Sequence, residues 1–177
     1  MADATKSVLS LSAADIMSHH VVMVPREMSM QGAARMLARS DVTGAPVVDA
    51  NGRCIGVLSA TDFMRWVEKD RTGAKLRVEG DCMCSAWQLP EGVMGEPSCC
   101  VEDCMTKDPV LVAPGTKLGE LARLMIDAHI HRVIVVERTT QRPIGIVSST
   151  DILAALARAE AAAEVAPEED ALTPAAR

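Results

Sequence analysis

The residues of this chain that are best suited to chemistry occur twice, in the same order. Residues 56–62 read GVLSATD, and residues 145–151 read GIVSSTD. Each copy passes from a short apolar strand pattern to hydroxyls and a carboxylate at a predicted helix start. A carboxylate only accepts hydrogen bonds and can take both hydroxyls of a ribose diol. The N–H groups and dipole of a helix start favour a phosphate. The pattern therefore predicts two related polar clefts.

A purely structural role explains the same residues. Serine, threonine and aspartate are the preferred N-caps of helices. Thr61-Asp62 and Thr150-Asp151 are therefore equally consistent with caps alone. The two roles do not exclude each other, and both remain open at this point.

The repetition extends well beyond these motifs. Residues 17–49 align with residues 105–137 at a shift of 88 without a gap, and residues 55–62 align with residues 144–151 at a shift of 89. Such repetition indicates two copies of one structural unit. A unit of roughly 58 residues buries too little surface to be robust alone. The two copies are therefore expected to share a core and to be related by a pseudo-twofold axis.

Apolar periodicity predicts the order strand, helix, strand, strand, helix in each copy. In the first copy these elements span residues 21–24, 30–40, 45–48, 55–58 and 61–69, and in the second 110–112, 118–128, 133–136, 144–147 and 150–163. Ser29 is the predicted cap of the first long helix, and Asn51-Gly52 is a hairpin-turn signal. The predicted organisation is an N-terminal segment 1–11, a first repeat 12–69, an insert 70–100, a second repeat 101–158 and a disordered tail 159–177.

The two copies resemble the tandem cystathionine-β-synthase (CBS) domain pair, or Bateman module. The resemblance rests on Asp-x-Met at residues 15–17 and 103–105, an apolar hairpin, and the repeated Gly-h-h-Ser-x-Thr-Asp motif. It implies an α+β fold of two βαββα units packed with pseudo-twofold symmetry through their sheets. It also implies two clefts, which in many members bind adenosine nucleotides or S-adenosylmethionine, and dimerisation into a disc.

The second copy is also similar to a repeat of the γ subunit of AMP-activated protein kinase, over residues 130–137 and 145–153. This similarity implies that the second cleft binds the phosphate, hydroxyl and ribose groups of a nucleotide. The implied contacts are His131 and Arg132 with phosphate, Val133 beside them, hydroxyl donation from Ser148 and Thr150, and acceptance of the ribose hydroxyls by Asp151.

The first copy departs from this pattern at the basic pair. Thr43 and Gly44, followed by Ala45, stand where the second copy has the His-Arg pair, whereas Ser59, Thr61 and Asp62 remain. The first cleft is therefore expected to keep the ribose chemistry without that pair. Three outcomes remain open for it: an uncharged adenosine group, charge borrowed from elsewhere, or no ligand.

The resemblance favours a regulatory module that senses an adenosine-containing ligand and signals to a separate, unidentified protein partner, with a homodimer as the expected assembly. The expected ligands are AMP, ADP, ATP or S-adenosylmethionine, and no cofactor is certain. An enzyme is not expected, because no nucleophile elbow, P-loop glycine pattern or metal-ligating His pair is present in the sequence.

The cysteines suggest an alternative function, a metal- or redox-responsive interaction protein. Five of the six lie between residues 82 and 104, mainly in the insert. Their spacing does not match the usual zinc knuckles, so no metal is predicted. Ordinary thiols, metal ligation and a redox pair all remain open. Cys104 occupies the place of Ile16 in the other copy, which indicates buried packing. The metal candidates are Cys82, Cys84, Cys99 and Cys100.

The composition of the chain disfavours several other classes of protein. The net charge is −6 and no long Lys/Arg cluster occurs, which disfavours nucleic-acid binding. No stretch of about 20 apolar residues is present, so no membrane span is predicted. The N-terminal residues lack a signal-peptide pattern, and we expect a cytoplasmic protein. In that compartment structural disulfides are not expected.

Overall fold

The computed structural model describes residues 8–71 and 99–165. Its fold is α+β and contains the two predicted βαββα repeats. A 3-10 turn (Val8–Ser10) and α1 (Ala13–Ile16) precede β1 (Val24–Pro25), α2 (Met30–Arg39), β2 (Gly44–Val48), β3 (Cys54–Ser59) and α3 (Ala60–Arg71). The second half contains α4 (Val101–Cys104), β4 (Thr106–Lys107), β5 (Leu111–Val112), α5 (Leu118–Asp127), β6 (Arg132–Val136), β7 (Pro143–Ser148) and α6 (Ser149–Val165).

The strands form two sheets of closely similar topology. The first sheet has the order β1-β2-β3-β4, and the second has the order β5-β6-β7. In each sheet the two long strands form an antiparallel hairpin, with the short strand that precedes them parallel to its first strand. Both hairpins also shift register at the same place, between Val47 and Val48 and between Val135 and Val136. The repetition in sequence is therefore a repetition of backbone geometry.

The two repeats exchange the segments that lead into them. We call residues 8–18 the first lead-in segment and residues 99–107 the second. Ser18 pairs with Ile146 in the second sheet, whereas β4 of the second lead-in segment pairs with β3 of the first sheet. Equivalent backbone bonds join Ala13 N to the Thr116 carbonyl at 2.8 Å and Val101 N to the Met28 carbonyl at 2.9 Å. Neither repeat is complete without residues from the other.

The long helices end where their sequences predict. Ser29 caps α2 by accepting a hydrogen bond from Gly32 N at 3.1 Å, as expected from the sequence. Asp41 and His129 follow α2 and α5 with positive φ values of 53° and 52°. Their N–H groups bond back to carbonyls of the last helical turn, and those of Val42 and Ile130 do the same. This arrangement satisfies carbonyls that a helix end otherwise leaves without donors.

Apolar residues form one cluster under each sheet and a third between the sheets. Buried residues of the first cluster include Val24, Met30, Leu58 and Val101, the last from the second lead-in segment. In the second cluster Ala13 packs in the same way among residues of the second repeat. The third cluster joins Cys54 of β3 to Ile134 and Val136 of β6. Packing through the sheets thus makes one core from two small units.

The structure also corrects several predicted elements. The first strand of each repeat is shorter than predicted, because only Val24–Pro25 and Leu111–Val112 pair with a neighbouring strand. The helices α1 and α4 and the strand β4 were not predicted, since elements of two to four residues have no measurable periodicity. The predicted tail 159–177 and the insert 70–100 lie largely outside the described residues.

Candidate functional site

The second motif forms a hydrogen-bonded cap at the start of α6. The N–H and Oγ of Ser148 donate to Asp151 Oδ2 at 2.7 and 2.6 Å. The N–H of Asp151 in turn donates to Ser148 Oγ at 3.2 Å. This is the reciprocal geometry of a capping box. It uses only one oxygen of the carboxylate. Within the described residues, Asp151 Oδ1 has no hydrogen-bond donor.

The first motif has the same two hydrogen bonds from serine to aspartate, but its carboxylate is fully occupied. Ser59 N–H and Oγ donate to Asp62 Oδ2 at 2.8 and 2.7 Å. The hydroxyl of Thr106 donates to Asp62 Oδ1 at 3.1 Å, and Arg65 lies 3.5 Å from the same oxygen. The side chain of Asp62 is 1% exposed, whereas Asp151 is only partly buried. The two carboxylates therefore differ in what they can still accept.

The strand beside each motif brings the basic pair and its counterpart into place. Arg132 lies directly opposite Ser148 in the β6–β7 hairpin, and Ser149 N–H donates to the His131 carbonyl at 2.9 Å. In the first repeat Gly44 lies opposite Ser59 in the same way. The structure thus gathers the second-copy polar residues at one sheet end. Both His131 and Arg132 are exposed there.

Arg132 also reaches across to the other repeat. One of its terminal nitrogens donates to the hydroxyl of Thr43 at 2.9 Å. Thr43 occupies in the first copy the position of His131 in the second. The starts of β2 and β6 therefore face each other. The guanidinium of Arg132 thus places a positive charge beside Thr43, where the first repeat has no basic residue of its own.

The remaining predicted residues divide into exposed and buried. Thr61 and Thr150 are exposed in the first turns of α3 and α6, and neither hydroxyl forms a hydrogen bond within the described part of the chain. Ala45 and Val133 are 2% and 0% exposed, so their side chains belong to the core and do not line a cleft.

Sequence reasoning missed the residues that the exchanged segments contribute. Thr106 of the second lead-in segment bonds to Asp62, and Ser18 of the first lies beside β7. The signal was present, since the 88-residue shift places Ser18 on Thr106, one hydroxyl residue after each Asp-x-Met. The role of these two residues could not be inferred without knowing that the lead-in segments are exchanged, which brings each hydroxyl to the opposite repeat.

The cysteines fall only partly within the described residues. Cys82 and Cys84 lie outside them, and no group of three or more metal-ligating side chains occurs in the described ranges. Cys100 is disulfide-bonded, while Cys54, Cys99 and Cys104 are not. The expectation that disulfides are absent is therefore wrong for Cys100. It rested on an assumed compartment and not on the proximity of particular side chains.

No helix in the described ranges is both long and apolar enough to cross a membrane.

A profile of the CBS domain family matches residues 13–69 and 101–158. The chain belongs to the CBS domain family. Its two matched regions form a CBS pair whose fold recurs in solved structures. It aligns with the CBS domain pair of protein MJ0100 in complex with 5′-methylthioadenosine and S-adenosyl-L-methionine, at a TM-score of 0.63 and 20% identity, covering 82% of this chain and 99% of that one.

Two further proteins are similar to this chain. The structure of CBSX2 in complex with AMP matches with a TM-score of 0.63 and 24% identity, over 84% of this chain and 98% of that one. The uncharacterised protein MJ1426 of Methanocaldococcus jannaschii is 24% identical over 153 residues, which are 80% of this chain and 89% of that protein. At these identities the solved structures establish the fold alone.

Proposed function

We propose that this CBS pair is a regulatory module that binds an adenosine-containing ligand, with the second cleft as the principal site. The proposal rests on the hydrogen bonding of the Asp151 carboxylate. Its Oδ2 is engaged by the cap, while Oδ1 is left without a donor in the described residues. A ribose diol supplies two hydroxyl donors, which a carboxylate oxygen accepts well. Hydrogen bonds to a charged group contribute about 1.5–3 kcal/mol.

The neighbouring charges support a phosphate on the same ligand. His131 and Arg132 are exposed at the strand end opposite Ser148. The guanidinium of arginine pairs with phosphate through two parallel hydrogen bonds. The hydroxyl of Thr150 and the first N–H groups of α6 lie at the same end of the sheet, where the helix dipole favours an anion.

The relatives support adenosine as the common part of the ligand. Solved CBS pairs of this fold contain AMP in CBSX2, and 5′-methylthioadenosine with S-adenosyl-L-methionine in MJ0100. Among these compounds the basic pair favours a phosphate-bearing one. We therefore rank AMP, ADP and ATP above S-adenosylmethionine for the second cleft.

In the first cleft, binding requires rearrangement. Asp62 already accepts four hydrogen bonds or ion-pair contacts and is almost completely buried. A ligand ribose would have to displace the hydroxyl of Thr106. We propose that this cleft binds more weakly than the second, or takes a ligand that uses Arg132 from the other repeat and does not need Asp62.

The proposed output is a change in the arrangement of the two repeats. Arg132 contacts both the second motif and Thr43 of the first repeat, so a ligand that engages it acts on the contact between them. A ligand shifts such an equilibrium by its difference in affinity for the two states. The described residues comprise the two repeats and their lead-in segments, and we propose that a separate protein receives the signal.

We also propose that the chain forms a homodimer through α3 and α6. Met64 and Val67 on α3 are 66% and 48% exposed, and Leu153 and Leu156 on α6 are 65% and 43% exposed. The 89-residue shift places Met64 on Leu153 and Val67 on Leu156. Contiguous exposed apolar patches are typical of protein–protein interfaces. Here the same two positions, three residues apart on a helix, carry exposed apolar side chains in both repeats.

The proposal is tested by calorimetric titration of adenosine, AMP, ADP, ATP and S-adenosylmethionine into wild type, Asp151→Asn and the matched Asp62→Asn. At least one phosphate-bearing compound is expected to bind to wild type. Its affinity falls about tenfold or more in Asp151→Asn, since a charged acceptor is lost. Asp62→Asn keeps the binding event of the second cleft and loses stability instead.

Thermal melting of each variant provides the folding control. A compound that binds the native state stabilises it by about 2.7 kcal/mol at a hundredfold excess over Kd. Equal affinities of wild type and a folded Asp151→Asn variant would refute the assignment of the second cleft. Absence of binding by all five compounds would refute the adenosine proposal itself.

A further inference from the structure

Three cysteines cluster around α4 at positions where the other repeat has no sulfur. The 88-residue shift places Cys99 on Leu11, Cys100 on Ser12 and Cys104 on Ile16. In the first lead-in segment Leu11 and Ile16 pack against the second core, and Ser12 forms a capping box with Asp15. Packing and capping at these positions therefore do not require cysteine.

The lost cap shows that the change from serine has a structural cost. Cys100 precedes α4 as Ser12 precedes α1, but its side chain makes no capping hydrogen bond. Replacing a serine cap by a residue that does not accept the capping hydrogen bond generally destabilises a helix. A reaction of the cysteine sulfur atoms would explain why the three positions around α4 hold cysteine and their counterparts in the other repeat do not.

The sulfur atoms of Cys99 and Cys104 lie very close together. Their separation is 2.7 Å. Cys99 belongs to the core cluster of the first repeat, and Cys104 packs against that cluster. Cys99 is 3% exposed, while Cys104 is only partly buried. A disulfide requires an S–S distance of about 2.05 Å. The two sulfur atoms therefore lie within about one ångström of bonding distance.

We propose that Cys99 and Cys104 form a reversible dithiol–disulfide site. The oxidant is a low-molecular-weight disulfide such as oxidised glutathione. Cys104 is the more accessible thiol. It deprotonates and attacks one sulfur of the oxidant, which releases one glutathione and leaves a mixed disulfide on Cys104. The thiolate of Cys99 then attacks the Cys104 sulfur and releases the second glutathione. Two protons leave the protein, and its two thiols become one disulfide as the oxidant is reduced.

The site is connected directly to the first cleft. Cys104 is followed by Met105, which contacts Gly56, and by Thr106, which donates to Asp62. The backbone of Cys99 accepts a hydrogen bond from Met30 N at 3.1 Å. The disulfide would therefore fix α4 between α2 and the carboxylate of the first cleft. Because it does not involve Asp151, the inference is independent of ligand binding in the second cleft.

The test uses the full-length chain, reduced with dithiothreitol, freed of reductant and then incubated with oxidised glutathione. Alkylation and peptide mapping are expected to show a bond between Cys99 and Cys104 and the loss of both from the alkylated thiols. This bond releases two glutathione molecules, in addition to those released when the disulfide of Cys100 forms again. Dithiothreitol restores both thiols. Hydrogen exchange at residues 101–107 becomes slower in the oxidised form.

The control variants use the residues found at the equivalent positions of the other repeat. Cys104→Ile and Cys99→Leu are expected to fold, and neither forms the intramolecular bond. Cys104→Ile takes up no glutathione at this site, whereas Cys99→Leu stops at the mixed disulfide on Cys104. Cys54→Ala, which alters a cysteine outside the cluster, still forms the Cys99–Cys104 bond.

Three results would overturn the proposal. One is a map in which Cys99 and Cys104 both remain alkylated after oxidation. A second is a map that joins either of them to a different cysteine. The third is a purified protein with about one zinc ion per chain that is lost in Cys104→Ile, since zinc coordinates thiolates and would identify the pair as metal ligands.

Discussion

Met17 occupies the space that a side chain on Gly145 would need. A Cβ atom on Gly145 would lie 2.8 Å from Met17 Cγ and closer still to its sulfur. The other repeat has the same relationship, because a Cβ on Gly56 would lie 2.5 Å from Met105 Sδ. The glycine of each repeated motif thus accommodates the methionine of the opposite lead-in segment. This contact joins the Asp-x-Met motif of one repeat to the Gly-h-h-Ser-x-Thr-Asp motif of the other.

Alanine at either glycine is expected to destabilise the chain by about 1–3 kcal/mol, the usual cost of overpacking a core. Gly56→Ala should cost more than Gly145→Ala. Its new methyl group would also meet the Thr106 carbonyl at 2.9 Å, and backbone yields less than a flexible methionine. Urea denaturation of both variants measures the difference.

Gly119→Ala is the matched control. Gly119 lies in α5, and an added Cβ would meet no atom within 4 Å. Alanine at such a site is neutral or stabilising by about 0.4–1 kcal/mol. If all three variants lost the same stability, the close approach of the methionines would not be the cause.

The long elements of the fold could be predicted because their sequences are strongly patterned. The strands β2 and β6 contain unbroken apolar runs, and α2 has buried residues at helical spacing behind Ser29. The exchange could not be predicted in this way. The helices α1 and α4 are four residues long, and backbone hydrogen bonds such as that from Ala13 to Thr116 hold them in place. Backbone bonds leave little trace in a sequence.

Of the site, the grouping of residues was predictable and the state of each carboxylate was not. The family resemblance implied that Ser148 and Asp151 lie near Arg132, as the β6–β7 register does. Whether an aspartate still has an acceptor available depends on what reaches it from elsewhere. Thr106 reaches Asp62 from 44 residues away in sequence, so only the folded chain distinguishes the two copies.

Thr106→Val is expected to destabilise the chain, because it removes a donor to a buried carboxylate. Hydrogen bonds to charged groups contribute about 1.5–3 kcal/mol, and the exposure of Thr106 reduces the expected loss to the lower part of this range. Ser18→Ala is the control at the equivalent position, since the Ser18 hydroxyl makes no hydrogen bond within the described residues. Thermal or urea denaturation compares the stabilities of the two variants with that of wild type. Equal losses would contradict a special role for the Thr106–Asp62 bond.

Arg132→Ala is expected to weaken the binding of AMP or ATP without changing that of adenosine. The guanidinium contributes through the phosphate and not through the base or ribose. Thr43→Ala should preserve or slightly increase AMP affinity, because it removes the hydroxyl that holds Arg132 at 2.9 Å. Calorimetric titration of both variants with the two ligands measures this. A parallel loss for adenosine and AMP in Arg132→Ala would indicate a general distortion of the cleft.

Leu153→Glu is expected to shift the chain from dimer to monomer. Leu153 is 65% exposed on α6, at the place that Met64 occupies on α3. A charge in the centre of an apolar interface is unfavourable unless it is paired. Ile126→Glu serves as the control, because Ile126 is equally exposed but lies on α5, outside the proposed face. Sedimentation velocity gives the masses. Dissociation by Ile126→Glu, with Leu153→Glu still dimeric, would place the interface elsewhere.

The stability of the chain is expected to decrease at alkaline pH through Cys54. Burial raises the pKa of its thiol above the usual value, because the thiolate is poorly solvated between the two sheets. In the unfolded chain the thiol titrates at its ordinary pKa of about 8.5. The unfolded state therefore loses its proton first as the pH rises. Unfolding becomes easier by up to about 1.4 kcal/mol for each pH unit between the two pKa values. Below the unfolded pKa this contribution to stability is fully present.

The measurement compares the urea midpoints of wild type and Cys54→Ala from neutral pH to about pH 10. The comparison separates the effect of Cys54 from that of other groups that titrate in this range. The stability advantage of wild type over Cys54→Ala should shrink across this range, and a constant difference would show that Cys54 does not titrate on unfolding.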